Sequence, residues 1–195
     1  MIDISESTYA KPFCAVFGRT KYKWGEFQNM HRKFPLVVSG IDIHSSEALY
    51  QSMRFPHHPD IQEAILLDPN PFAAKTVAHE HIDKTRADWH DFVDGKVELR
   101  VLAMYVTIQI KSIQHMDTFM PLFEEAKDKD IIEYSRHDPF WGTGPMDGMS
   151  DILTGQNVLG KLWDVVKLRT LTEGKLLLEL PSVIADTTIL ERKLL

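Results

Sequence analysis

The sequence predicts an α+β fold, mostly helical, in a single domain with a few short strands. Three observations lead there. Apolar residues recur at helical spacing, most clearly Val97, Val101, Met104, Ile108 and Lys111, where the lysine ends the stripe. Short β-branched runs bounded by turn residues interrupt the helical pattern. The 195 residues are 44% apolar and 26% charged, the balance of a soluble chain with a sizeable core.

The elements follow in order. Pro12 to Phe17 is apolar enough for a short strand. Phe34–Val38, Ser39-Gly40 and Ile41–Ile43 form a hairpin around a turn dipeptide. A helix starts at Ser46 and is stopped by Pro56, which removes a donor and restricts its predecessor. A second fills Pro59–Leu67. A third starts with Asn70 as N-cap and Pro71 at the first helical position. Val97–Gln114 is the longest helical segment. Asp117 caps the next helix, which buries Phe119, Met120 and Phe123. Ile131–Tyr134 is a short buried strand. Residues 136–155, rich in Gly, Asp and Pro, are expected as a long loop, a feature that is uncommon unless functional. Asn157–Lys167 returns to helix. The tail from Glu173 carries apolar runs at Leu176–Leu180 and Val183–Leu190 and is expected to pack on the body.

Composition excludes several classes. The longest apolar run, Val101–Val106, is far short of the roughly 20 residues of a membrane span. No signal-peptide pattern is found, and the one cysteine, Cys14, cannot form an internal disulfide, so a cytoplasmic protein is expected. The net charge is −6, against a protein that grips many phosphates. Residues 117–151 carry −6 by themselves and residues 1–33 carry +3. A strip of Arg19, Lys21, Lys23, Arg32 and Lys33 with Tyr22 and Trp24 interleaved fits either an ordinary solvated face or a guide for a nucleic-acid end. Nine histidines form no metal-ligand spacing, and neither a metal nor a cofactor is expected.

Four local patterns can carry chemistry, each with an ordinary structural reading beside it. Glu47, Gln51 and Arg54 share one face of a short helix, either a solvated face or a binder of sugar and phosphate. Asp138-Pro139-Phe140-Trp141-Gly142-Thr143-Gly144 is either a packed aromatic turn or a loop offering Trp141 as a stacking plate. Gly155-Gln156-Asn157-Val158-Leu159-Gly160 at a helix start is either a turn with close packing at Gly160 or a phosphate cradle. Lys111 is either a snorkelling lysine or a desolvated nucleophile.

The ordered series is more specific than its members. Gly25-Glu26-Phe27-Gln28-Asn29, Ser46-Glu47-Ala48-Leu49-Tyr50-Gln51, Arg86-Ala87-Asp88-Trp89, Lys111, Ile132-Glu133, Asp138-Pro139-Phe140-Trp141-Gly142 and Gly155-Gln156-Asn157-Val158-Leu159-Gly160 follow one another. From about residue 24 to 169 this resembles the NADAR, or YbiA-like, family, with residues 170–195 as an extension. Two departures stand out. The family often has Lys where this chain has Arg54. Its closing helix often reads Leu-Leu-Met-x-x-Arg, where this chain has Leu162 to Lys167.

The resemblance implies an N-glycosidase that needs no cofactor. One implied substrate is ADP-ribose on guanine in DNA or RNA, preferably single-stranded, with a cognate ADP-ribosyltransferase toxin as partner and an antitoxin role. Another is a phosphorylated ribosylamino-pyrimidine of riboflavin biosynthesis. A third reading is a non-catalytic module that binds NAD or ADP-ribose. Breaking a ribosyl C–N bond passes through an oxocarbenium-like state, which calls for negative charge at the anomeric carbon and a proton at the leaving nitrogen. Glu47 and Asp138 are the expected carboxylates, and Lys111 offers a Schiff-base route. Phe27, Asn29, Gln51, Arg54, Trp89, Trp141, Gly142, Asn157 and Gly160 are the expected substrate-binding residues. Glu47, Asp138 and Trp141 are expected to meet in one cleft.

Overall fold

A computed structural model describes residues 3–146 and 148–194. In chain order the strands are β1 (Ser7–Ala10), β2 (Ala15–Phe17), β3 (Leu36–Val38) and β4 (Ile41–Ile43). Helices α1 (Ser46–Ser52), α2 (Pro59–Leu67) and α3 (Pro71–Glu80) follow, then β5 (Phe92–Val93) and β6 (Val97–Glu98). Next come α4 (Leu99–Gln114), α5 (Met116–Glu125), β7 (Ile131–Glu133), β8 (Gly144–Met146) and β9 (Met149–Gly155). The chain ends in α6 (Val158–Glu173), α7 (Ser182–Ala185), β10 (Thr188–Ile189) and β11 (Arg192–Lys193). The fold class is α+β, as expected.

The chain divides into two compact units, Met1–Gln28 with His115–Leu176 and Asn29–Gln114 with Leu177–Leu195. In the first unit β2 and β7 pair in parallel, Ala15 opposite Ile131 and Phe17 opposite Glu133. Ala15, Phe17, Ile131 and Ile132 are fully buried, so this pair is a core element. An aromatic cluster surrounds it. Phe27 packs on Trp163 at 5.0 Å between ring centroids, and Phe119 stacks on Trp163 at 5.2 Å. Trp163 also donates Nε1–H to the Phe27 carbonyl at 3.0 Å, so its one polar atom is satisfied inside the core.

The segment expected as a long loop contains two strands. β8 and β9 form a hairpin, and β9 pairs antiparallel with β1, Ser7 opposite Gly155 and Ala10 opposite Ile152. The pairing joins Ser7 to Gly155 and Ala10 to Ile152, segments far apart in the chain, so local composition carried no sign of it. The strand expected from Pro12 is shorter: Lys11–Phe13 is a 3₁₀ turn and pairing starts at Ala15.

In the second unit the β3–β4 hairpin turns through Ser39 and Gly40, both at positive φ (52° and 74°), the geometry of a tight hairpin turn. Ser45 caps α1 by accepting from the Ala48 amide at 3.2 Å, and all seven residues of α1 are buried. Asn70 caps α3 through the Phe72 amide, with Pro71 at the first helical position. Helix α4 starts at Leu99, because Val97 and Glu98 pair with Phe92 and Val93 instead. Asp117 lies inside the first turn of α5, and His115 occupies the cap position.

The tail packs on this unit through two glutamines that act as short ladders. Gln109 accepts the Glu179 amide at 2.9 Å and donates to its carbonyl at 3.1 Å. Gln62 donates to the Thr188 carbonyl and accepts the Leu190 amide, each at 2.7 Å. Ile184, Ile189 and Leu194 are fully buried. Among the described residues no helix is long and apolar enough to cross a membrane.

Candidate functional site

The expected site residues fall into two constellations. Asn29, Glu47, Gln51, Arg54, Trp89 and Lys111 belong to the second unit, and Phe27, Asp138, Trp141, Gly142, Asn157 and Gly160 to the first.

The first constellation starts from α1. Glu47, Gln51 and Arg54 are one turn apart, so their side chains meet. Gln51 donates Nε2–H to Glu47 Oε1 at 2.8 Å, and Arg54 donates Nη1–H to Gln51 Oε1 at 2.8 Å. Arg54 continues through Nη2 to Thr85 Oγ1 at 2.9 Å. Glu47 and Gln51 are 6% and 5% exposed, so this is not a solvated face. Burial pulls the Arg54 guanidinium below its ordinary pKa, while Tyr50 and Glu47 favour its charge. Asn29 stands next to Glu47: its carbonyl accepts the Glu47 amide at 3.2 Å, and its Nδ2 lies 3.1 Å from Met104 Sδ.

Lys111 is 0% exposed. The snorkelling alternative therefore does not hold. Its Nζ lies 5.0 Å from the centroid of the Phe34 ring, a cation–π position in the packed interior of α4's surroundings. Trp89, expected to bind substrate, is 3% exposed and packs on Tyr50 at 5.3 Å. Its ring is a buried wall behind α1. Nearby, Arg86 forks onto Asp88 at 2.6 and 2.9 Å. The Arg86 hydrogen bond holds the Asp88 carboxyl below the usual range.

The second constellation starts where β7 ends. The Asp138 carbonyl accepts the Gly142 amide at 3.0 Å and its Oδ1 accepts the Trp141 amide at 3.1 Å. Asp138, expected as a catalytic carboxylate, thus closes the turn that carries Trp141. Trp141 is half-buried, its ring edge-on to Phe140 at 5.1 Å. Gly142 is required by space: a Cβ there would lie 2.9 Å from the Glu133 carbonyl oxygen and 2.9 Å from Ser135 Cβ.

Asn157 and Gly160 serve packing, not a phosphate cradle. Asn157 adopts φ 52°, ψ 39° and is fully buried. Its Oδ1 accepts the Glu133 amide and its Nδ2 donates to the Ile131 carbonyl, each at 3.0 Å. Both amide atoms are thus engaged on β7 inside the fold. A Cβ on Gly160 would lie 2.1 Å from the Ile131 carbonyl oxygen, so the glycine lets α6 touch β7. Phe27, expected to bind substrate, is fully buried in the aromatic core. Lys167, at the family's arginine position, holds the carbonyls of Ala126 and Lys129 and the Asp164 carboxylate, at 3.2, 2.6 and 2.7 Å. Its ammonium serves the fold.

Sequence reasoning gave Thr85, Thr143 and Glu133 no chemical role, although Thr143 and Glu133 lie within its motifs. The one available signal was Glu133, a carboxylate ending an apolar strand and already inside the ordered motif series. Among the described residues no group of three or more His, Cys, Asp or Glu is placed to hold a metal.

Comparison with known proteins gives the class. The structure is similar to the NMR structure of the E. coli protein YbiA, with a TM-score of 0.64 and 21% identity over 82% of this chain and 86% of that one. The family model of the NADAR domain matches residues 16–170. The chain belongs to the NADAR family, a family of glycosidase type. No curated protein matches it.

Proposed function

We propose that this protein is an N-glycosidase that cleaves the bond between ADP-ribose and guanine in nucleic acid, and so reverses guanine ADP-ribosylation. The observation that carries the reading is the buried chain Glu47–Gln51–Arg54 in a NADAR chain. A carboxylate shielded from water and held by an amide is suited to stabilise the positive charge that develops at an anomeric carbon. Cleavage adds water across the C–N bond: hydroxyl goes to the sugar carbon, and the departing amine takes a proton. The buried amine of Lys111 supports a second route. When neutral, it can trap the opened sugar as a Schiff base that water then hydrolyses. Trp141, clasped by Asp138, suits stacking on a base.

Nucleic acid is favoured as the carrier by Tyr22, which is 57% exposed and has Lys21 Nζ 5.1 Å from its ring centroid. An exposed ring beside a cation takes a single-stranded base with few phosphate contacts. A protein that erases a modification of guanine suits an antitoxin, with an ADP-ribosyltransferase as the counterpart.

The test is incubation with a guanine-ADP-ribosylated single-stranded oligonucleotide, reading free ADP-ribose. Release is expected. Release from a phosphorylated ribosylamino-pyrimidine alone would move the reading to the riboflavin intermediate. Binding of ADP-ribose with no turnover of either would make the protein a sequestering module.

A further inference from the structure

We infer that the side-chain oxygen of Asn29 accepts a hydrogen bond from the 2-hydroxyl of the ribose that is cleaved, and so makes the enzyme specific for a ribosyl over a 2-deoxyribosyl bond. The inference rests on the N-glycosidase reading above and names the contact made by a residue expected to bind substrate. Every residue it uses belongs to the second unit.

Among the described residues of that unit, four buried side-chain polar atoms have no hydrogen-bond partner: Asn29 Oδ1, Ser46 Oγ, Ser52 Oγ and Arg54 Nε. Ser46 and Ser52 are part of α1, and Arg54 follows it with its guanidinium already bonded twice. Asn29 is the one bonded to Glu47 itself, its carbonyl accepting the Glu47 amide at 3.2 Å. Asn29 is 5% exposed, and its Nδ2 meets the thioether of Met104 at 3.1 Å, a weak acceptor. Packing does not account for such an amide. An apolar residue of the same shape would fill the space and leave no acceptor unsatisfied. The torsion that turns the amide is soft and its bond to sulfur is weak, so Oδ1 can swing to a ligand.

The place of Asn29 beside Glu47 selects the ligand atom. The glycosidase reading puts the Glu47 carboxylate at the anomeric carbon. That carbon is joined to the ring oxygen, the leaving nitrogen and the carbon that bears the 2-hydroxyl. The ring oxygen has no hydrogen to give. The leaving nitrogen must gain a proton, so an acceptor drawing on its N–H would oppose departure. The 2-hydroxyl is a donor and matches an amide oxygen. As positive charge grows at the anomeric carbon, this hydroxyl becomes a stronger donor, and the hydrogen bond tightens in the transition state. A 2-deoxyribosyl bond offers no such donor and leaves Oδ1 unpaired, as in the free protein.

The experiment measures kcat and KM for wild type, Asn29→Leu and Asn29→Ala on two oligonucleotides. One carries ADP-ribose on guanine, and the other carries the analogue that lacks this 2-hydroxyl, with enzyme-free loss subtracted. On the ribosyl substrate Asn29→Leu is expected to lose about 10²-fold or more in kcat/KM, chiefly in kcat. On the deoxy analogue it is expected to stay within about threefold of wild type, because the contact is missing from both. Asn29→Ala answers the question if the leucine variant does not fold. A folded variant within about threefold of wild type on the ribosyl substrate overturns the inference and leaves the glycosidase reading standing. So does an equal loss on both substrates, the outcome of a purely structural role. If wild type turns over neither substrate, the glycosidase reading falls, and calorimetric titration with ADP-ribose and its 2-deoxy analogue decides the contact. ADP-ribose bound at least about tenfold more weakly by the variant, with the analogue bound alike by both proteins, keeps it; any other result removes it too.

Discussion

Gln51 Nε2 lies 2.8 Å from Glu47 Oε1, one turn along a helix whose every residue is buried. The amide orients the carboxylate and at the same time receives Arg54, so charge, amide and guanidinium form one relay inside the fold.

Glu47→Gln preserves shape and an acceptor for Gln51 but removes the charge. Turnover is expected to fall by about 10²–10⁴ with the melting temperature nearly unchanged. Release of ADP-ribose and a melt on the same preparation check this. Full activity in the folded variant would take Glu47 out of the chemistry.

Lys111 separates the two chemical routes. Arginine stays charged at working pH, so under the Schiff-base route Lys111→Arg is as inactive as Lys111→Ala. Borohydride added during turnover then traps a sugar adduct, which intact mass detects and peptide mapping places at Lys111. An active Lys111→Arg with no adduct would leave direct attack by water.

At Asp138 the clasp and a proton-transfer role part ways. Asparagine keeps an oxygen for the Trp141 amide, so Asp138→Asn is expected to lose less than about tenfold in kcat/KM, whereas Asp138→Ala loses the bond and costs about 1 kcal/mol of stability. Trp fluorescence and denaturant melts read the difference. Equal, large losses in both variants would return the proton-transfer role to Asp138.

Asp164 makes stability pH-dependent. Burial pushes its carboxyl up to about 6 from 3.8, against the pull of Lys167 and the Ile131 amide and with Asp130 adding to the rise. A raised folded-state pKa means the native protein keeps a proton the unfolded chain has released. The contribution of Asp164 is therefore fully present below about pH 4 and is lost as pH rises through about 6. Its size is at most about 3 kcal/mol, two units at 1.36 each. The difference in unfolding free energy between wild type and Asp164→Asn is expected to fall across that window. A flat difference would refute the assignment.

Gly160→Ala tests the contact of α6 with β7. A Cβ placed 2.1 Å from the Ile131 carbonyl oxygen must push the helix off the strand, at about 1–3 kcal/mol or more. Denaturant unfolding measures it, and a wild-type midpoint would contradict the packing.

What the sequence determined by itself was local or recurrent. Pro59 and Pro71 set helix starts because proline suits a first turn, and Ser39-Gly40 set the hairpin because its backbone is left-handed. The motif series determined the family, since several unusual residue groups in one order outweigh any single spacing. Only the tertiary structure decided how the members of those motifs are buried and what holds them. The helical stripe put Lys111 beside Ile108 but could not say that no water reaches it, because burial depends on what other segments bring. The place of Asn157 at a helix start fits a phosphate site, but its two amide atoms are bonded to β7, 24 and 26 residues back in the chain. The pairing of β1 with β9 and the clamp of Glu133 by Thr143 and Asn157 are likewise contacts between distant segments. Hydrogen bonds of that kind leave no period in the sequence; they exist only once the core has fixed where each segment lies.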